Sequence, residues 1–340
     1  MISMSLSDDI RLEDEIAELK KALKRAQQAE YKAKRANEDI ISAVFSAAKE
    51  ASLATPKTKP VPNKVTKDKR KGKAEVALIH ATDWQLGKRT SNYSIDKCSE
   101  RLEQFVQKVY ELTTIQRAHH PVRECVLLFG GDMVEGITIF PGQAWEVEAH
   151  LFEQLFETVR IEEMMVRSFA EFFEKVHVIC EYGNHGRLGR KGELPANDNI
   201  DAISYQITAD RTKDLKNVTW QVSPDWHQIV TIGNYKALLV HGDEIKSFGG
   251  GTPAFGILRK CNAWATGVVA EFNDVYMGHF HTPMALTMSN GGRIFVTGSP
   301  ESENVYAAEF VAAKGKPSQR LHFVDPEKAR VTAEYVVWLD

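Results

Sequence analysis

Five short apolar runs constrain this chain more than any other feature, because each leads at once into Asp, Asn or His. VALIHA (76–81) runs into Thr82-Asp83-Trp84-Gln85, and CVLLFG (125–130) into Gly131-Asp132. VHVIC (176–180) runs into Glu181-Tyr182-Gly183-Asn184-His185, and ALLVH (237–241) ends at His241-Gly242-Asp243. VYMG (275–278) runs into His279-Phe280-His281. Short apolar runs bounded by turn residues read as buried strands. Longer stretches of helical character separate them, at 95–118, 144–174, 198–211 and 254–268. Further strands are expected at 285–289, 293–297, 321–324 and 331–339. Strand–helix alternation implies an α/β fold in which helices cover a sheet. In open sheets of this kind, ligands bind at the edge formed by the C-terminal ends of the strands.

The residues delivered to that edge form a chemically coherent set. Carboxylate, imidazole and amide oxygen together suit Mn, Fe or Zn better than Ca, and no thiolate is among them. Gly131, Gly183, Gly242 and Gly278 each adjoin a proposed ligand. Glycine permits the sharp turn and close backbone approach that an inward-aimed ligand needs. Taken singly, each residue has a plainer reading. Asp132 could cap a helix, Asn184 could serve a turn, and His279 and His281 could be a surface and a core histidine. Those readings would have to coincide at every strand end. His80, His119, His120, His150, His177, His227 and His322 lack the pattern and read as structural or surface residues.

The ordered motifs GD, GNH, HGD and GHxH, after an initial Asp83-x-Gln85, resemble the calcineurin-like metallophosphoesterases over about residues 75–300. That resemblance implies a four-layer αββα metallophosphoesterase sandwich with two metals at the sheet edge. It assigns Asp83 and His281 to the first metal, Asn184, His241 and His279 to the second, and Asp132 as the bridge. His185 would face the scissile phosphate and protonate the leaving oxygen. Water activated between two divalent ions would attack phosphorus in line. The family's first motif has His where this chain has Gln85. An amide oxygen can ligate Mn²⁺ or Mg²⁺ but donates more weakly than imidazole, so Gln85 is carried as a ligand of the first metal. Two divalent ions are expected, Mn²⁺ foremost, with Mg²⁺, Fe²⁺ and Zn²⁺ also compatible.

Two finer features resemble a phage-type branch of DNA-repair-exonuclease-like members. One is the GNHGR form of the third motif; the other is EGITIFPGQAW (135–145), with its EG and FPGQ elements. Arg187, Arg190 and Lys191, just past the Asn–His pair, are candidates for binding flanking phosphates. Asp243 and Glu244 could orient a ligand imidazole or cap a helix. KSFGGGTPAFG (246–256) has three consecutive glycines and reads as a mobile lid or as a plain surface turn. Trp84 reads as a core residue.

Charge and periodicity divide the chain. Residues 56–73 carry eight Lys/Arg against one Asp, with three prolines and no aromatic, so they cannot build a core and read as a basic flexible linker. Before them, residues 1–55 show one apolar stripe, with Leu12, Ile16, Leu19, Leu23 and Ala26 at alternating spacings of four and three. A lone helix cannot bury such a stripe. Pairing as a coiled coil through residues 8–50, giving a homo-oligomer, and folding back on the main domain are both open. Residues 74–340 are expected to form the metallophosphoesterase domain that the resemblance implies.

The four cysteines are scattered without metal-knuckle spacing, which suits a reducing cytoplasm. The N-terminal segment lacks a basic start and an apolar core, so a secretory leader is not expected. No apolar run is long enough to span a bilayer, so no membrane is expected as a partner.

The function expected is phosphodiester hydrolysis on nucleic acid, most simply as a DNA nuclease. The basic linker and the Arg187 cluster join the branch resemblance in supporting it. A protein phosphatase, a small-molecule or cyclic-nucleotide phosphodiesterase, and a metal-impaired module that only binds nucleic acid or protein all remain open.

Overall fold

The computed structural model describes residues 6–65, 67–140, 142–189, 193–195, 198–246, 253–301 and 316–340. It divides into two compact units, one ending at Ala51 and one spanning Ser52–Asp340. Helix α1 (Leu6–Ala54) accounts for the first. At 1.5 Å per residue it is about 70 Å long. Leu23, Ile40 and Val44 on it are exposed.

The second unit carries two sheets. The larger has the order β11-β10-β1-β2-β3-β4. Strands β1 (Glu75–Ala81), β2 (Val122–Phe129), β3 (Lys175–Cys180) and β4 (Val218–Val222) run parallel, and β10 (Ser318–Asp325) and β11 (Arg330–Trp338) close one side antiparallel. The smaller has the order β5-β6-β7-β9-β8, from β5 (Gln228–Ile232), β6 (Tyr235–Leu239), β7 (Asp274–Met277), β8 (Met284–Thr287) and β9 (Arg293–Val296). Strands β6, β7 and β9 are mutually parallel. Helices α2 (Ile95–Gln116), α3 (Leu151–Phe172), α4 (Ile200–Arg211) and α5 (Ala254–Ala263) complete the regular structure.

The apolar contacts define the layers. One core joins Ile79, Leu127 and Val178 of the large sheet to Phe105 and Val109 of α2, Phe169 of α3 and Tyr205 of α4. A second joins the opposite face, through Leu78, Leu128 and Ile179, to Val230, Leu239 and Phe295 of the small sheet. A third joins the far face of the small sheet to Ile257 and Cys261 of α5. Helices, sheet, sheet and helix are therefore stacked in the αββα order expected. Because both faces of the large sheet are covered, its central strands are apolar on both sides, which is why they read as unbroken apolar runs.

Some elements differ from expectation. Strands β4 and β5 have no continuous apolar run, because each is an edge strand that carries polar residues, with Thr219 and Thr231 exposed. The helix expected over 144–174 begins at Leu151. Gly142, with φ of 92°, opens a one-turn 3₁₀ segment at Gln143–Trp145, and extended His150 then starts α3, its backbone N–H donating to Glu153 at 2.7 Å.

The described part of the basic stretch 56–73 contains no helix or strand and is tied down at several points. The Thr58 hydroxyl donates to Glu163 at 2.9 Å, and the Val61 amide donates to Ser168 Oγ at 2.8 Å. Asp68 accepts from the Val122 amide at 3.1 Å, and Arg70 donates to the Arg117 carbonyl at 2.7 Å. Val122 begins β2, so this end of the stretch lies along the edge formed by the N-terminal ends of the parallel strands. No helix among the described residues is long and apolar enough to cross a membrane.

Candidate metal centre

The opposite edge gathers the predicted ligands. Asp83, Asp132 and Asn184 follow β1, β2 and β3, while His241, His279 and His281 follow β6 and β7. Their backbones are unusual. Six described non-glycine residues have positive φ, and five of them are Asp83 (53°), Gln85 (46°), Asp132 (53°), His279 (66°) and His281 (54°). Such a conformation costs a non-glycine residue energy and persists where surrounding contacts enforce it, as they do at functional sites. Asp83 and Gln85 therefore reach the same centre through left-handed turns. Trp84 between them is fully buried and packs edge-on against Phe129.

Glycine makes the close approaches possible. A methyl group at Gly183 would stand 2.0 Å from Asp132 Oδ1, and one at Gly278 would stand 2.1 Å from Asp83 Oδ2. No side chain of any size fits either position.

Asp132 sits at the middle. Its Oδ2 lies 3.1 Å from His241 Nε2, 3.2 Å from Gln85 Nε2 and 4.0 Å from His185 Nε2. Asp132, His241 and His279 each bring one ligand atom to within 4.8 Å of the others. His241 Nδ1 donates to the Gly130 carbonyl at 2.9 Å, so Nε2 is the nitrogen that carries the lone pair when the ring is neutral. Yet His241 Nε2 and Asn184 Oδ1 are buried and have no hydrogen-bond partner among the described residues. Buried acceptors are costly to leave unpaired, so these atoms fit a cation held among them.

Asp83 forms the second cluster. Its Oδ1 accepts from the His279 amide at 2.8 Å and lies 3.4 Å from His281 Nε2. On its other side, His281 Nδ1 is 3.3 Å from Glu301 Oε2, and Glu301 Oε1 is 2.8 Å from Lys88 Nζ. Gln85 turns its amide nitrogen toward Asp132, while its Oε1 is buried without a partner.

The electrostatics of both clusters favour added positive charge. Burial alone would raise the Asp132 carboxyl, but the imidazoles of His241 and His185 outweigh it and hold the group well below the ordinary range. Burial would lower the His241 imidazole; the Asp132 carboxylate overrides it and pushes the imidazole well up. Burial likewise opposes protonation of His281, and Asp83 with Glu301 raises it to about 10. Burial and the neighbouring His241 bring His279 down to about 4, so it is neutral and able to ligate.

Several positioning residues were not anticipated. The Asp201 carboxylate, at the start of α4, accepts from the backbone amides of Asp132 (2.8 Å), Met133 (3.1 Å) and Gly183 (2.9 Å). It thereby ties the second motif to the third. Asn199 supports it by accepting the Asp201 amide and donating to the Gly183 carbonyl, both at 2.8 Å. Glu301 follows β9 through Thr-Gly-Ser-Pro, the same strand-end signal that marks the ligands. Asp201 carries no such signal, since it acts from a helix start.

His185 is held in one tautomer. Its Nδ1 donates to the Glu135 carbonyl at 2.8 Å, and its amide donates to Asp132 Oδ1 at 2.7 Å. Gln143 clamps Glu135, donating to its carbonyl at 2.7 Å and its carboxylate at 3.0 Å. The 135–145 loop is thus fastened to the centre, and Trp145 at its end is 92% exposed. Arg187 is ion-paired with Asp243, which follows the ligand candidate His241 by two residues. Arg190, Lys191 and residues 247–252 of the glycine-rich loop lie outside the described residues.

No family model matches the chain, and no curated protein matches it. Solved structures do. An archaeal phosphodiesterase aligns with 77% of this chain and 99% of its own, at 13% identity and a TM-score of 0.36. The zinc complex of Vps29 from Entamoeba histolytica aligns with 78% and 99%, at 12% identity and 0.35. A predicted phosphoesterase from Streptococcus pneumoniae aligns with 77% and 98%, at 12% identity and 0.30. Scores this low carry no weight for mechanism.

Proposed function

We propose that the chain is a calcineurin-like metallophosphoesterase that hydrolyses phosphodiester bonds in nucleic acid, as a DNA nuclease. The observation that carries the chemical class is the pair of unpartnered buried acceptors, Asn184 Oδ1 and His241 Nε2, gathered with Asp132 at one sheet edge. Asp132, Asn184, His241 and His279 would hold one divalent ion, Mn²⁺ foremost. Asp83, His281 and Asp132, with Gln85, would hold the other. Ions so held supply Lewis acidity toward the phosphoryl oxygens and a water-derived nucleophile near neutral pH.

The remaining work falls to the chain. With Nδ1 committed to the Glu135 carbonyl, His185 has only Nε2 to offer a substrate. When protonated, that nitrogen donates to the leaving oxygen. The hydrogen bond that the His185 amide donates to Asp132 Oδ1 fixes how far the ring stands from that carboxylate. Arg187, held by Asp243, supplies a guanidinium for a flanking phosphate.

Trp145, exposed on a loop braced against His185, offers a face on which a base can stack, which favours a nucleic-acid strand over a compact ester. The contacts of the basic stretch at Val122 and Arg117 fall on the far edge of the sheet, so the nuclease reading does not rest on that stretch.

The test is cleavage of labelled single- and double-stranded DNA with Mn²⁺, beside a chromogenic phosphodiester, for the natural chain and Asp132→Ala. Cleavage of DNA that the variant loses is expected. Brisk turnover of the small ester without DNA cleavage would point to a small-molecule phosphodiesterase. Undiminished activity in the variant would end the catalytic reading.

A further inference from the structure

The two halves of the proposed centre are not equivalent, and the inference drawn from that rests on the metal-centre reading above. On one side, Asn184 Oδ1 and His241 Nε2 are buried acceptors without donors. On the other, Gln85 Oε1 is likewise buried without a donor, but the carboxylates there already have donors from the chain. Asp83 Oδ1 accepts from the His279 amide at 2.8 Å, and Asp83 Oδ2 accepts from the Thr82 hydroxyl at 3.0 Å. Asp132 Oδ2 accepts from the Gln85 amide nitrogen at 3.2 Å.

Gln85 is the decisive residue. It presents an N–H to the bridging carboxylate, whereas an imidazole could present a lone pair to a cation. For Gln85 to ligate, its amide must turn so that Oε1 faces the ion. That rotation breaks the bond to Asp132 and sets Oε1 against a carboxylate oxygen, an arrangement stable only with a cation between them. The other half requires no such exchange. We infer that the centre takes its two ions unequally: one tightly, at Asp132, Asn184, His241 and His279, and one weakly, beside Asp83 and His281, with Gln85 setting the difference.

Equilibrium dialysis against Mn²⁺, read by metal analysis and electron paramagnetic resonance, tests this without reference to turnover. The natural chain is expected to bind one ion per chain tightly, with the six-line spectrum of an isolated Mn²⁺. A second ion should enter only at concentrations at least tenfold higher. Gln85→His is expected to bind two ions tightly and give a spin-coupled spectrum. His281→Ala is expected to keep the tight ion unchanged and lose the weak one. Two equally tight ions in the natural chain would overturn the inference and leave the metal centre standing. A Gln85→His chain that melts normally yet still binds one tight ion would remove Gln85 as the cause. Loss of the tight ion in His281→Ala would show that the halves are not separable. No Mn²⁺ bound at any concentration would instead overturn the metal-centre reading itself.

Discussion

His241 Nε2 faces Asp132 Oδ2 across 3.1 Å, while the opposite ring nitrogen of His241 is bonded to the Gly130 carbonyl. The ring is oriented by the backbone so that Nε2 meets a carboxylate. A ring nitrogen and a carboxylate oxygen aimed at each other in this way can share a cation in place of a proton.

Removing either partner should remove the tight ion. His241→Ala and Asp132→Ala are each expected to abolish tight Mn²⁺ binding, measured by isothermal titration calorimetry. Replacing His80 should leave it intact, since His80 Nδ1 bonds Thr297 Oγ1 at 2.7 Å and its ring lies within the fold. Binding that survives both substitutions would place the ion elsewhere.

Asp201 touches no predicted ligand atom, yet it holds the backbones of Asp132 and Gly183 together. Asp201→Asn keeps the shape but replaces one accepting oxygen with a donor facing N–H groups. Metal affinity should fall about 10–100-fold, as for other partners that orient ligands. Stability should fall by about 1–3 kcal/mol. Calorimetric titration and urea unfolding would read the two effects, and an unchanged affinity would make Asp201 purely structural.

Gly278→Ala would drive a methyl group against Asp83 Oδ2 and the Thr82 hydroxyl. The variant should retain its circular dichroism spectrum while losing hydrolytic activity by about 100-fold, the scale of a misplaced catalytic constellation. Wild-type turnover in this variant would show that Asp83 has no fixed role.

Glu162 links α3 to α4, accepting from Ser204 at 2.7 Å and Thr208 at 2.6 Å. Burial raises its carboxyl to about 8, and those two hydroxyls oppose the shift only in part. Below about pH 4.5 the group is protonated in the folded and unfolded chain alike, and it contributes no pH dependence. Between there and pH 8 the unfolded chain releases a proton that the folded chain keeps, so stability declines as pH rises. The slope is at most about 1.4 kcal/mol per pH unit. Glu162→Gln should match the natural chain near pH 4.5, gain on it up to pH 8, and hold a constant lead above that. Urea midpoints across that range would show a pH-independent difference if the assignment is wrong.

Helix α1 draws its stability mostly from packing an apolar face, yet Leu23, Ile40 and Val44 along it are exposed. A second copy of the helix is the expected partner. Sedimentation equilibrium should give a dimer for the full chain and a monomer after deletion of residues 1–51. A monomer in both cases would exclude pairing through α1.

Much of the centre was legible in the sequence because its signals are local. Asp83, Asp132, Asn184, His241, His279 and His281 each follow an apolar strand, and the neighbouring glycines mark where the backbone must pass close to a carboxylate. The same runs implied a sheet covered by helices, since central strands covered on both faces are apolar throughout, while the four-layer order came from the family resemblance. Edge strands β4 and β5 escaped notice because Thr219, Gln221, Gln228 and Thr231 interrupt their apolar residues.

Tertiary structure alone decided the rest. Asp201 reaches Asp132 across 69 residues of chain, and the Asp83 carboxylate reaches the His279 amide across 196. A carboxylate that accepts distant backbone amides leaves no period or spacing in the sequence, because the backbone offers the same N–H at every position but proline. The turn of the Gln85 amide toward Asp132 and the path of the basic stretch along the far sheet edge are likewise set by what packs beside them. Residue type and local pattern specify which groups arrive at the edge; only the folded backbone specifies which way each one faces and what already holds it.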